Sequence, residues 1–201
     1  MNLRIQCQCG ALHGEVSHTE RALRGVCYCK DCRAYSHHLG QAAVAHDSLG
    51  GVEFVATQAQ HVTLTAGTQH LACLSLSEKG LLRWYARCCN TPIGNTTRNW
   101  KFAYVGLLHT CLTADPASYE RDFPRVQMRV NTGGARETPP AMTFSTIAAL
   151  LGFVPRVMLS GVNGAYRQTP FFNAPAGTPR VEAIVLTKPE RDRARAAASH
   201  A

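Results

Sequence analysis

The sequence predicts a mainly β protein with a C-terminal extension of mixed α and β character. Short apolar segments at residues 3–7, 52–56 and 102–108 in the first half are separated by glycine-containing turns. A spacing of roughly 8–12 residues between such segments is typical of antiparallel sheets. The second half is interrupted by eight prolines between residues 116 and 179. It combines a helical segment at 143–151 with a strand at 181–186.

The chain length of 201 residues suits one domain with an appended segment. We expect a β domain over residues 1–110, an extension over 111–187 packed on it, and a basic flexible tail at 188–201. Two helix starts are predicted from capping residues. Asp31 is expected to cap a helix at 32–39 before Gly40, and Thr143 or Ser145 to cap the helix at 143–151. Gly152 and Pro155 should break or kink this second helix, with a resumption at 157–159.

The composition indicates a globular protein. Hydrophobic residues make up 45% of the chain and charged residues 17%, which excludes global disorder. No run approaches the roughly 18 apolar residues of a membrane span, and no signal core precedes Cys7. We therefore expect a cytoplasmic protein without membrane contact. The net charge is +8, but nucleic acid is not an expected partner, because no arginine–aromatic array for stacking bases is present.

The cysteines are the main functional signal. Seven of the nine lie in three short clusters, and a reducing compartment makes such clusters more typical of metal ligation than of disulfides. Of the two remaining cysteines, Cys73 lies within the apolar run 71–76 and Cys111 follows the segment 107–110, and both are predicted to be buried free thiols. The three clusters are Cys7-Gln8-Cys9-Gly10, Cys27-Tyr28-Cys29-Lys30-Asp31-Cys32 and Cys88-Cys89-Asn90-Thr91-Pro92.

The first and third clusters together predict a structural zinc site, because four thiolates close a tetrahedral coordination shell. Cys7 and Cys9 are two residues apart, and Gly10 permits a tight turn behind them. Adjacent side chains such as those of Cys88 and Cys89 diverge in an extended chain, so both can bind one zinc only where the backbone bends. The alternatives are a set of buried free thiols and a vicinal disulfide between Cys88 and Cys89.

The middle cluster predicts a site of chemistry. Three thiolates from Cys27, Cys29 and Cys32 leave one coordination position of a zinc ion open, as in catalytic zinc sites. The cluster could equally act as a reactive thiol site, since a helix N-terminus near Cys32 stabilises thiolate. A purely structural zinc with a fourth ligand from His37 or His38 is the alternative. An iron–sulfur cluster would lack a clear fourth cysteine.

These motifs, in this order, resemble those of the glutathione-dependent formaldehyde-activating enzyme family, which includes the centromere protein V type. That family's pattern is C-x-C-G, then C-[HYS]-C-x-x-C-[RQ], then C-x-x-C-G-T-P. The resemblance covers about residues 3–108. It implies a zinc-binding β-tent of small antiparallel sheets, with a structural zinc held by the first and third clusters. It also implies a second, catalytic zinc and glutathione as co-substrate at the middle cluster.

The third cluster departs from the family pattern. Ala86 stands where the first cysteine of C-x-x-C should be, Cys88 is displaced by two positions, and Asn90 replaces glycine. The resemblance implies a carbon–sulfur lyase that acts on adducts of a small-molecule thiol and an aldehyde. The catalytic residues would be Cys27, Cys29 and Cys32.

Arg33 is the nearest candidate in the sequence to bind the carboxylates of the thiol. No general base is evident from the sequence. The alternatives are a non-catalytic zinc scaffold that binds protein or nucleic acid, and a redox sensor built on Cys88-Cys89.

Overall fold

The computed structural model describes residues 2–112, 115–141 and 144–200, and the mainly β class is confirmed. The strands of this part of the chain are β1 (Asn2–Gln6), β2 (His13–Ser17), β3 (Leu23–Cys27), β4 (Val52–Gln58), β5 (Val62–Ala66), β6 (Leu71–Ser75), β7 (Leu82–Ala86), β8 (Thr91–Thr96), β9 (Tyr104–Leu108), β10 (Met128–Val130), β11 (Phe172–Asn173), β12 (Thr178–Pro179) and β13 (Ala183–Val185). The helices are α1 (Lys30–His38), α2 (Ala42–Ala45), α3 (Pro116–Asp122), α4 (Phe144–Asn163) and α5 (Lys188–His200).

Two sheets and one small ribbon organise these strands. Strands β1, β2 and β5 form an antiparallel sheet, and β11 pairs with β12. The large sheet has the order β10-β3-β4-β9-β8-β7-β6-β13. Its six inner strands are antiparallel, whereas the edge strands β10 and β13 run parallel to their neighbours. The predicted extension thus supplies both edges of the sheet, and a domain boundary at residue 110 stays a prediction.

The main core lies where the small sheet packs against the large one. Side chains alternate across a strand, so Leu3 and Ile5 of β1 point to the same face and are fully buried. They share a cluster with Trp84 of β7, whose indole N–H donates to Thr96 Oγ1 at 2.9 Å. The ring of Phe171 lies 5.1 Å from that of Trp84, so the extension also completes this core.

Helix α1 begins three residues after the end of β3 and carries part of the middle cysteine cluster. Its N-cap is Cys29, whose sulfur accepts a hydrogen bond from the Cys32 amide at 3.3 Å. The prediction that Asp31 caps this helix is therefore wrong. Asp31 lies within the first turn, where its carboxylate is close to the positive end of the helix dipole. The helix ends before Gly40, as predicted, and that glycine adopts a positive φ of 71°.

Helix α4 is longer than the sequence predicts. It runs to Asn163 and contains both Gly152 and Pro155, because Phe153 and Val157 are buried against the second core cluster. Tertiary packing here outweighs the cost of an internal proline. Of the two proposed caps, Thr143 lies outside the described residues and Ser145 lies inside the helix. None of the helices in the described ranges is long and apolar enough to cross a membrane.

Residues 188–200 form helix α5, which corrects the expectation of a flexible basic tail. Ala194 and Ala198 are buried in the same cluster as residues of α1, because their small side chains allow the two helices to approach closely. The guanidinium of Arg195 contacts the carboxylate of Asp31 at 2.7 Å. The basic character of this segment is therefore partly used to hold α5 on α1.

Candidate metal centres

The first and third cysteine clusters meet at two neighbouring turns. Cys7 and Cys9 lie on the turn after β1, where Gly10 has a φ of 75° and donates its N–H to the Cys7 carbonyl at 2.9 Å. Cys88 and Cys89 lie on the turn between β7 and β8. The four sulfurs all lie within 4.8 Å of one another. The sequence-predicted ligands of a structural zinc are thus brought together as one group.

The sulfur–sulfur distances at this site match the size of a zinc ion. Cys9 and Cys88 are 3.3 Å apart, Cys7 and Cys9 are 3.6 Å apart, and Cys7 and Cys88 are 3.8 Å apart. A zinc–sulfur bond of about 2.3 Å gives a tetrahedron with an edge of about 3.8 Å. The four-cysteine group could therefore hold a metal ion such as zinc.

A left-handed residue explains how two adjacent cysteines reach the same site. Asn90 adopts a φ of 56°, a conformation that asparagine tolerates better than most residues and that glycine adopts freely. The Cys89 amide donates to the Ala86 carbonyl at 3.3 Å and closes the turn. Ala86 itself is fully buried at the end of β7. The bend places Cys88 among the ligands in place of a cysteine at position 86.

Hydrogen bonds support the sulfurs of this site. The Leu12 amide donates to Cys7 Sγ at 3.3 Å, and the Thr91 hydroxyl lies 3.0 Å from Cys89 Sγ. Partial burial acts to raise the pKa of Cys89, but the bonds from Thr91 and from the Cys9 backbone lower that pKa to about 6. No disulfide joins Cys88 and Cys89, whose sulfurs are 3.8 Å apart, and this disfavours the vicinal-disulfide alternative.

The middle cluster brings three sulfurs together at the junction of β3 and α1. Cys27 ends the strand, Cys29 caps the helix, and Cys32 lies in its first turn. Their sulfurs lie within 4.8 Å of one another, and no fourth histidine, cysteine or carboxylate of the described residues joins the group. The alternative ligands His37 and His38 line a different pocket, beside Glu190 of α5. The cluster could hold a metal ion through three protein ligands.

The three sulfurs lie at the wall of a cavity of about 410 Å³. Volumes of this size are typical of sites for small molecules. The side chain of Asn131 donates to Cys27 Sγ at 3.4 Å from the segment after β10. The cavity is lined by Cys27, Cys29, Asp31, Cys32, Phe54, Lys79, Gly80, Leu81, Arg83, Asn95, Tyr104, Val130 and Asn131.

Arg83 is a buried cation at this cavity. Its side chain is 4% exposed, and its Nη1 lies 3.8 Å from Cys32 Sγ and 3.0 Å from Asn95 Oδ1. No ion pair joins it to a carboxylate in the described part of the chain. Burial acts to lower the pKa of Arg83, but the neighbouring Cys32 sulfur more than offsets this and raises it. A charged guanidinium therefore lies beside the Cys32 sulfur at the wall of this cavity.

Arg33, the residue proposed for binding carboxylates, does not line the cavity. It lies beside Gly50 and Gly134 on another face of α1. Its role in binding a substrate stays a prediction without support from its position. Lys79, Arg83 and Asn131 line the cavity but are not predicted as site residues from the sequence. One signal existed for Arg83, because a charge between Leu82 and Trp84 in an apolar strand is unusual.

The two isolated cysteines have the predicted environment. Cys73 and Cys111 are 1% and 0% exposed, and both lie in the main core cluster. Burial raises the pKa of the Cys73 thiol to about 12. Neither thiol belongs to a candidate metal group of the described residues. Both are therefore packing residues.

A comparison with protein families matches residues 2–183 to the family of unknown function (DUF6151). The chain belongs to this family. The matched residues of DUF6151 contain both cysteine groups and the cavity, whereas helix α5 follows the matched segment. No curated protein and no solved structure matches the chain in the corresponding comparisons.

Proposed function

We propose that this protein holds a structural zinc at its four-cysteine site and a second, catalytic zinc at Cys27, Cys29 and Cys32, where it acts on adducts of a small-molecule thiol and an aldehyde. One observation carries the proposal. The three sulfurs line a cavity of about 410 Å³, and no fourth metal ligand from the described residues joins them. A three-cysteine zinc site with an accessible position is suited to an exchangeable ligand.

The cavity has the charges needed for an acidic thiol such as glutathione. Lys79 and Arg83 both line it, and Arg83 is buried without a carboxylate partner among the described residues. Asp31 also lines the cavity, but it is paired with Arg195 of α5. A ligand carboxylate near Lys79 or Arg83 would gain a favourable charge contact.

Bound zinc would supply Lewis acidity and lower the pKa of an incoming thiol. The side chains of Arg83 and Asn131 approach Cys32 Sγ and Cys27 Sγ and would stabilise negative charge on those sulfurs. Burial raises the pKa of Tyr104, so this phenol keeps its proton and can donate a hydrogen bond to an aldehyde oxygen in the cavity. Adduct formation joins sulfur to the carbonyl carbon and moves the thiol proton to the oxygen; the lyase direction reverses both changes.

The test combines binding and turnover. Calorimetry with glutathione and exchange spectroscopy with isotope-labelled formaldehyde should show binding and faster adduct exchange with zinc-loaded protein. Cys29→Ser should lose both, and Cys73→Ala, which alters a buried cysteine outside either site, should keep both. A fully zinc-loaded wild type that neither binds glutathione nor accelerates exchange would exclude this function and leave a zinc scaffold.

A further inference from the structure

Helix α4 has two apolar faces, of which only one is covered by described residues. Phe153 and Val157 are buried in the core. On the other side, six apolar side chains are between 51% and 85% exposed. They recur at the three- and four-residue spacing of one helix face. We call them the α4 stripe: Ile147, Leu151, Val154, Met158, Leu159 and Val162.

An exposed apolar surface of this kind indicates a binding surface. Soluble monomers rarely expose contiguous apolar patches beyond a few hundred Å². The α4 stripe therefore calls for an apolar occupant that covers it.

A polar pocket borders the stripe. It has a volume of about 370 Å³ and shares Arg156, Leu159 and Ser160 with helix α4. Its other walls include Arg21 and His61. His61 is 8% exposed, and its Nδ1 has no hydrogen-bond partner among the described residues. We call this the α4 pocket, and its two arginines suit an anionic group.

The charged side chains on and beside helix α4 are mainly basic. Helix α4 contains no acidic residue, and its one charged side chain, Arg156, forms no ion pair with a described carboxylate. On another side of the helix, the backbone carbonyl of Lys101 approaches Gly161 closely, and Lys101 is exposed. Glu20 lies 3.7 Å from Arg21 and offsets part of that arginine's charge. The whole chain carries +8.

We propose that the α4 stripe and the α4 pocket form a docking surface for an anionic phospholipid bilayer. The stripe enters the boundary between headgroups and acyl chains, and the pocket receives a headgroup phosphate near Arg156. Helices with an apolar face and flanking cations bind lipid surfaces in this orientation. This replaces the expectation from the sequence that the protein makes no membrane contact.

Charge argues against a second copy as the occupant. In a symmetric dimer the same patch meets itself, so Arg156 and Lys101 of one copy would approach a surface of equal sign. An anionic bilayer instead supplies the opposite charge together with apolar depth. The proposal concerns helix α4 and is independent of the two metal sites.

Vesicle flotation of the full chain tests the proposal. Wild type should float with phosphatidylcholine vesicles that contain phosphatidylglycerol and remain unbound with phosphatidylcholine alone. Leu151→Asp should reduce binding to the anionic vesicles about tenfold, because a charge would enter the apolar layer. Arg156→Glu should reduce it by at least about fivefold. Val44→Asp, at a half-exposed valine on α2, is the matched control and should bind as wild type.

Each contrary result is distinct. Absence of flotation with anionic vesicles overturns the proposal, and so does equal flotation with neutral vesicles. Light scattering that shows a wild-type dimer, converted to a monomer by Leu151→Asp, would identify a second copy as the occupant and also overturn it. Because both substituted residues are exposed, unchanged circular dichroism should show that the variants fold.

Discussion

The Nη1 atom of Arg83 lies 3.8 Å from the Cys32 sulfur inside the protein. The guanidinium also stacks near the Tyr35 ring, with its carbon 5.3 Å from the ring centroid. Few buried cations lack a carboxylate, because an unpaired charge in the interior is costly. Its neighbours among the described residues are Asn95 Oδ1, the Tyr35 ring and the Cys32 sulfur. Of these, the Cys32 sulfur is the one that takes up negative charge when it binds a metal, which ties the burial of Arg83 to a metal at the middle cluster.

Replacing Arg83 should therefore weaken metal binding at the middle cluster. Hydrogen-bonding neighbours of metal ligands typically contribute 10- to 100-fold in affinity, so Arg83→Gln should lose about that much at this site. The four-cysteine site should be unaffected. Chelator competition followed by metal analysis measures both sites.

Arg98→Gln provides the control, because Arg98 is exposed and donates to the carbonyls of Gly80 and Ser77. It should release metal as wild type does. Equal release from Arg83→Gln and Arg98→Gln would contradict the link between Arg83 and the sulfurs.

The turn at Asn90 should control the four-cysteine site. A β-branched side chain is disfavoured at a φ of 56°, so Asn90→Val should lower the free energy of unfolding by about 1–2 kcal/mol and weaken the metal held there. Asn90→Gly should keep both properties. Thermal unfolding with and without a chelator measures the stability and metal retention of both variants. Equal stability and equal metal retention of Asn90→Val and Asn90→Gly would contradict a requirement for the left-handed conformation at position 90.

His61 should make stability sensitive to mild acid. Burial, followed by the neighbouring His18 and Arg21, lowers the pKa of His61 from 6.5 to about 4. The unfolded state thus binds a proton more readily than the folded state. The stabilisation is present above about pH 6.5 and is lost as the pH falls towards 4, by about 1–3 kcal/mol.

The measurement compares urea unfolding of wild type and His61→Gln from pH 7.5 to 4.5 at matched metal content. The stability of wild type should fall more steeply. His38→Gln, at an exposed histidine, should follow wild type. Parallel curves for all three proteins would show that His61 titrates normally.

The contact between α5 and α1 should depend on small side chains. Ala198 is fully buried, so Ala198→Leu should overpack this contact and cost about 1–3 kcal/mol in the free energy of unfolding. Ala197 is exposed on the same helix, and Ala197→Leu should change stability by less than about 0.5 kcal/mol. Chemical unfolding measures both. Equal, small effects would mean that α5 is not held on α1.

The sequence predicted the parts of the structure that depend on neighbouring residues. Short strands follow from local apolar patterns, and the cysteine groups follow from their spacing. The sequence leaves open whether Cys88 and Cys89 share a site, because the answer depends on the bend of the backbone between β7 and β8, where Asn90 is left-handed. The Arg- and Ala-rich composition of the tail indicates at most a weak or frayed helix, because the order of α5 depends on burial of Ala194 and Ala198 against a distant helix.

The cavity lining was the least predictable feature. Arg83 approaches Cys32 across 51 residues of sequence, and Asn131 approaches Cys27 across 104. Such contacts arise from strand order, in which β10 pairs with β3, and no local pattern encodes that order. Arg33 is adjacent to Cys32 in the sequence, but the helix turns it away from the cavity.

Metal content per purified chain, determined for wild type, Cys29→Ser and Cys89→Ser, tests the two-site arrangement most directly. We expect two zinc ions in wild type and one in each variant, lost from different sites, while Cys73→Ala retains both. A wild type with one zinc that is lost with Cys89→Ser and unaffected by Cys29→Ser would contradict a metal site at Cys27, Cys29 and Cys32.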